Sequence, residues 1–352
     1  MSQCSAVFQS LPNIQDRLES AFNAPRMGMV RDPLPFLEFL LSPENNFGLS
    51  QKILYKNAKQ ATVELVYDQR IAESDVNDDQ AIQCTASTRR GDCAETYTID
   101  PAENRHVEQI IRKEDLRDSS RDAAEVFATK LMLMIDVLER DISTKAATES
   151  VALAGSWSTD TGASYTVDGA NNLELDLYDA SSQYFPQRLH DLRDALVKSG
   201  YGDQVAVFGG NDLITYLNTA QQGCCTNVGL NLSEMWNEFG VVGAYDRRLQ
   251  TALGGSEFSL ALQPGSLAAI AFTENNWLEG ADGIVQEGSN YAEAVIISPR
   301  TGMPMDLYVK NDCGNIQINL YARLYVRGLP STLFPTGDNF DGVTFVNRVE
   351  AT

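Results

Sequence analysis

DSSRDAAEVFATKLMLMIDVLERDI, residues 118–142, decides the reading of this chain. It holds no Gly or Pro, and Phe127, Leu131, Ile135, Leu138 and Ile142 recur at helical spacing as one apolar stripe. Val126, Leu133, Met134 and Val137 are expected to widen that stripe. Asp118, Ser119 and Ser120 offer N-cap oxygens, and Asp122 suits the positive end of the helix dipole. At 1.5 Å per residue such a helix spans roughly 35–40 Å. It is long enough to brace a domain.

What flanks the helix has little means of folding alone. Residues 1–46 are broken by Pro12, Pro25, Pro33, Pro35 and Pro43, leaving Ile14, Leu18 and Phe22 at helical spacing and the apolar run LPFLEFLL at 34–41. Those pieces can dock on a surface but cannot form a core together. Residues 47–112 are mostly extended: ATVELVYDQRI (61–71) alternates as a strand, and AIQCTAS (81–87) and CAETYTI (93–99) flank the turn-rich TRRGD. An isolated hairpin is marginal in water, so this excursion needs a partner surface.

Beyond the helix, residues 155–172 form a Gly/Ser/Thr/Asn-rich loop. SQYFPQRLHDLRDALVKSG then predicts a helix with Leu189, Leu192 and Leu196 on one face, ending at Gly200. VAVF (205–208), SLAAIAF (266–272) and YAEAVIIS (291–298) predict core strands, and Asn211 or Asp212 is placed to cap a short helix. MDLYVKND and NIQINLYARLYVRG predict an antiparallel pair around Gly314, alternating through Ile316, Ile318, Leu320 and Tyr325.

Bulk properties narrow the function. The 352 residues carry a net charge of -21, and no run of Lys or Arg exceeds two, which disfavours an attractive nucleic-acid interface. The first twenty residues lack the basic-then-apolar pattern of a signal peptide, and no apolar run reaches the length of a membrane span. Six scattered cysteines do not make a disulfide framework, which points to folding in cytoplasm.

Candidate chemistry is sparse. His106 and His190 stand apart from each other and from any cysteine, and read as structural or surface residues. GGSEF (254–258) fails the nucleophile-elbow pattern at its last position. Asp75, Asn77 and Asp79 imitate the start of a calcium loop, but Gln80 and Ala86 stand where the turn glycine and the bidentate Glu belong. Arg90-Gly91-Asp92 reads as a turn, and the sequon Asn231-Leu232-Ser233 has no secretory route. Cys224 and Cys225 carry no readable motif. Cys84 and Cys93 can oppose each other across a hairpin, either as free thiols or as a late-forming bond; a zinc site would need two more ligands. No catalytic, cofactor-binding or metal-binding residue is therefore expected, and an enzyme is not the reading.

This order of parts resembles the major capsid proteins of tailed double-stranded DNA bacteriophages. YAEAVIISPRTGMPMDLYVKNDCGNIQINLYARLYVRGL (291–329) is similar to their strand, turn and strand ending, and GVVGAYDRRLQTALGG (240–255) to a loop-rich part of their axial domain. The resemblance implies an α+β protein of Hong Kong 97-like fold. Residues 1–46 would be the N-terminal arm, 47–112 the extended β-hairpin loop and 113–145 the long spine helix. The peripheral domain would be split between 146–180 and 300–330, the axial α/β domain would occupy 181–299, and 331–352 would be a C-terminal segment.

It further implies hexamers and pentamers of this chain in an icosahedral or prolate head, assembled in the host cytoplasm and enclosing DNA without binding it specifically. A portal protein would be a partner, with room for a decoration protein. Two departures qualify the resemblance. No lysine lies between Lys59 and Lys113, where members that weld their shell carry one, and no fused scaffold precedes the arm, which implies a separate scaffolding protein. An encapsulin-like nanocompartment shell is the nearest alternative, and a carboxylate-dependent hydrolase a more distant one.

Overall fold

The computed structural model describes residues 14–23, 32–43, 45, 50–57, 60–67, 93–98, 104–112, 114, 123–155, 166–167, 173–175, 205–215, 241–273, 284–288, 291–312, 315–328 and 346–351. The chain mixes helix and sheet and divides into two compact units. The first comprises residues 1–41, 100–146 and 269–325, the second 42–99, 147–268 and 326–352.

The first unit is built on five antiparallel strands in the order β11 (Ile284–Gly288), β12 (Tyr291–Ile297), β13 (Pro304–Asp312), β14 (Asn315–Ala322) and β4 (Arg105–Ile111). Strict alternation decides its faces. Ala292, Ala294, Ile296, Met305, Leu307, Val309, Ile316, Ile318 and Leu320 are buried, while Tyr291, Tyr308, Gln317 and Tyr321 point the other way and are half-buried. β4 was expected within an extended loop. Instead it closes one edge of this sheet, with Ile111 against Ile316 and His106 against Tyr321.

The long helix, α3, runs from Ala123 to Ala152 and is about 45 Å long. It continues ten residues past the stretch that announced it, because STKAATESVA contains no breaker and its Ser143, Ala146, Ala147 and Ser150 are small enough to stay buried. The N-cap expected at 118–120 lies outside the described residues. Phe127, Leu131, Met134, Ile135, Leu138 and Ile142 are buried as the spacing predicts.

Leu133 and Val137 are not buried; they are 49% and 48% exposed. At 100° per residue they lie about 200° and 240° around the helix from Leu131, on the far side of an arc that is already filled. Two short helices also belong to this unit, α1 (Ile14–Asn23) and α2 (Pro35–Leu41). Pro35 takes the first helical position, where it costs no hydrogen bond, and the Glu38 N–H reaches the Leu34 carbonyl at 2.9 Å. Gln15 of α1 mimics a strand, donating to the Ile297 carbonyl at 3.0 Å and accepting its N–H at 3.1 Å, beyond the last pairing of β11 with β12.

The second unit carries a six-stranded sheet ordered β5 (Thr166–Val167), β6 (Leu173–Leu175), β16 (Val346–Ala351), β9 (Phe258–Leu262), β7 (Val205–Gly209) and β8 (Val241–Tyr245). β7 and β8 are parallel, as are β6 and β16; the other pairings are antiparallel. Residues 240–255, expected to be loop-rich, form β8 and the helix α4 (Arg247–Leu253). The Asp246 carboxylate caps the Arg248 and Leu249 N–H groups, and Gly254 ends the helix at φ +99.

Gly243 lets β8 approach β7: a Cβ there would sit 1.9 Å from the Val207 carbonyl oxygen. Buried Asn45 ties the chain to the β9 end of this unit, donating to the Leu267 carbonyl at 2.9 Å and accepting the Gly265 N–H at 3.1 Å. A separate three-stranded antiparallel sheet joins β1 (Ser50–Asn57), β2 (Gln60–Tyr67) and β3 (Cys93–Thr98). β10 (Leu267–Ala271) pairs with β15 (Leu324–Gly328). The expected single strand 315–328 is thus two strands, β14 and β15, broken at Arg323.

Candidate functional site

Among the described residues the buried charges serve as struts. Glu139 of α3 is 2% exposed and accepts hydrogen bonds from Ser298 Oγ (2.5 Å) and Thr301 Oγ1 (2.7 Å). Burial raises its pKa, against the lowering effect of those two hydroxyls and of Arg300. Asp306 of β13 is held by the Arg323 guanidinium, and Asp246 is a helix cap. Ser256, from the failed nucleophile pattern, donates to Asp212 at 2.9 Å and ties the turn before β9 to the 211–215 helical turn.

Among the described residues no group of three or more His, Cys, Asp or Glu is placed to hold a metal ion, and no helix is long and apolar enough to cross a membrane. His106 stacks on Tyr321 at 5.3 Å, and Tyr321 meets Tyr308 edge-on at 5.4 Å, an aromatic row along the outer sheet face. His190, Cys84, Cys224, Cys225, the 75–79 acidic loop, Arg90-Gly91-Asp92 and the sequon lie outside the described residues. Cys93 opens β3 opposite Tyr67, so the strand paired with it is β2.

What the chain offers instead is surface. β4 is an edge strand with most of its side chains open on both faces. It lies antiparallel to α3. Lys130 Nζ reaches the Ile110 carbonyl at 3.4 Å, and Arg105 pairs with Asp141 at 3.1 Å. The two ties agree in length, since five strand steps and eleven helix steps each cover about 16 Å. Between them stand the exposed Leu133 and Val137, with Ile110 also 48% exposed. An apolar row beside a strand edge that pairs with no further strand among the described residues is the kind of feature that soluble monomers avoid and interfaces use. Sequence reasoning identified Leu133 and Val137 as apolar but assigned them to the core. Their angular offset from Leu131 was the available signal.

No family model matches the chain, and no curated protein matches it. Among solved structures it is similar to one from Mycobacterium phage Che8, at 10% identity and TM-score 0.42 over 93% of this chain and 94% of that one. It is also similar to the mature capsid of bacteriophage PhiM1, at 10% identity and TM-score 0.38, with 84% and 83% covered. The capsid of cyanophage P-SCSP1u gives 8% identity and TM-score 0.39, with 95% and 94% covered.

Proposed function

We propose that this chain is a major capsid subunit of a tailed bacteriophage, with a Hong Kong 97-like fold, that assembles into a closed shell around double-stranded DNA. The observation that carries the reading is internal to the chain. A 30-residue helix lies along a five-stranded antiparallel sheet, and a separate β1–β3 ribbon pairs, among the described residues, only within itself. Such parts reach neighbours better than they bury themselves, and a closed lattice supplies the neighbours. The exposed Leu133–Val137 row beside the β4 edge provides a surface for another copy to cover.

In this reading residues 1–46 are the arm and 47–112 the extended loop, less β4 (Arg105–Ile111), which pairs into the five-stranded sheet. The peripheral domain is drawn from 146–180 and 300–330 and the axial domain from 181–299, except that β11 and β12 go with β13 and β14, with which they share one sheet. Hexamers and pentamers form with a separate scaffolding protein and a portal protein, with room for a decoration protein, and the chain resides in the virion after assembly in host cytoplasm. A charge of -21 suits a wall that must not hold the genome.

The test is deletion of Val63–Ile99. Circular dichroism should show both units still folded, while light scattering and negative-stain images should show no closed particles, because a stable contact needs roughly 1,000 Å² or more. Leu131→Pro is the contrast: it breaks the helix itself, at about 3 kcal/mol or more, and should abolish folding. Closed particles from the deletion variant, or an intact chain that stays monomeric with scaffold present, would refute the reading. Particles filled with an enzyme in place of DNA would favour an encapsulin-like shell.

A further inference from the structure

The turn joining β12 to β13 grips two other parts of its unit at once. Ser298 Oγ accepts the N–H groups of Arg300 (3.2 Å) and Thr301 (3.3 Å), which closes the turn, and donates its own proton to Glu139 Oε1. Thr301 Oγ1 donates to the same carboxylate oxygen and accepts the Met303 N–H at 3.3 Å. Both hydroxyls are therefore used on both sides. Arg300, whose side chain is 9% exposed, faces the N-terminal segment. It meets Glu38 of α2 at 3.1 Å, donates to the Asp32 carbonyl, and lies 3.9 Å from Asp136 of α3.

We propose that the Ser298–Met303 turn is a proton-sensitive latch that holds residues 32–41 on the long helix, closing more tightly when Glu139 is protonated and loosening when Glu139 is ionised. The reason is burial. In the closed latch the Glu139 carboxyl is removed from water, a loss that outweighs its two hydroxyl donors, which by themselves favour the ionised form; in an open latch water solvates it.

The charged groups around it divide. Arg300 on the turn favours the ionised form, and Asp136 on the same helix opposes it, itself paired with Arg140 at 2.9 Å. Glu38 on α2 completes the set, drawing on Arg300. Desolvation is the largest influence, so the closed latch holds its proton more strongly than the open one. The sign follows by linkage: raising the pH from mildly acidic to neutral removes that proton and weakens closure. This holds whether or not the chain forms a shell.

Hydrogen–deuterium exchange on the purified full-length chain tests it, at pH 5.5 and 7.5 with intrinsic rates corrected. The peptide covering residues 32–41 should exchange several-fold faster at pH 7.5, while a peptide from β14 should not change. Glu139→Gln keeps the Oε1 acceptor but cannot titrate, so its 32–41 peptide should exchange equally at both values. Thr301→Val leaves Glu139 titratable but removes one donor, and should speed exchange more at pH 7.5 than at 5.5.

Three results overturn the proposal: no pH dependence in the wild type, unchanged pH dependence in Glu139→Gln, or an equal change in β14, which would assign the effect to global unfolding. Should Glu139→Gln not fold, the Thr301→Val contrast decides alone, with equal effects at both pH values counting against the latch.

Discussion

Replacing Arg323 by Met should be among the most damaging single changes in the first unit, and the reason can be worked through atom by atom. Asp306 is fully buried on β13, and Arg323, at the break between β14 and β15, is nearly so. Its guanidinium binds the Asp306 carboxylate and lies 5.9 Å from the Phe272 ring, which stacks on Tyr325 at 6.0 Å. Lys145 of α3 reaches the same aromatic group, 4.6 Å from the Tyr325 ring and 3.3 Å from the Leu324 carbonyl. Methionine fills much of the arginine stem but leaves a carboxylate buried with its strongest partner gone. Breaking a buried pair from one side costs about 3–5 kcal/mol. Against a total stability of about 5–15 kcal/mol, that is enough to unfold a large share of molecules.

The double variant Asp306→Leu, Arg323→Met removes the charge along with its partner, and buried pairs exchanged for apolar residues of similar volume are often close to neutral. Urea melts followed by circular dichroism should therefore show the single variant losing at least about 3 kcal/mol and the double variant recovering more than half of it. A single-variant loss below about 1 kcal/mol, or losses that simply add in the double variant, would refute the assignment of the pair as a strut.

Gly243→Ala should destabilise the second unit by about 1–3 kcal/mol or more, since its Cβ would meet the Val207 carbonyl oxygen at 1.9 Å and β7 and β8 would have to part; a thermal melt unchanged within a degree would contradict this. Denaturing gels of boiled particles should show one band near 38.7 kDa with reductant present, because residues 60–112 hold no lysine for a side-chain amide weld. A reductant-resistant ladder would disprove that. A late bond between Cys84 and Cys93 would appear on the same gels as a reductant-sensitive mobility shift within the single band.

The parts of the fold that could be read from sequence are those whose pattern is local. The helix declared itself through five apolar residues at one spacing, and β12, β13 and β14 through strict alternation, because each repeats its signal over seven or more residues. β4 did not. RHVEQII alternates poorly because, as an edge strand, it has few positions that must be apolar. Its membership in the sheet is decided by β14, about 210 residues later in the chain. β16 escaped notice for the same reason, since its neighbours β6 and β9 are set by pairing at long range. By contrast, α4 was locally legible. Asp246 and Gly254 are an N-cap and a left-handed C-cap bracketing RRLQTAL, a short signal masked by the glycines around it.

The polar struts show a sharper limit. Glu139 sits within LMLMIDVLERDI about 80° around the helix from Leu131, closer to the apolar stripe than Asp136, but that spacing alone does not say whether its carboxyl is turned out to water or buried. What buries it is a turn 159 residues away whose two hydroxyls converge on one oxygen. A sequence can announce which residues prefer to leave water, since that preference belongs to each side chain. It does not announce which charged residue will be taken out of water against its preference, because the compensating donors come from another element. Those compensated exceptions are where single substitutions should cost the most. For that reason Glu139, Asp306 and Arg323 are better probes of its mechanics than any residue of the apolar stripe.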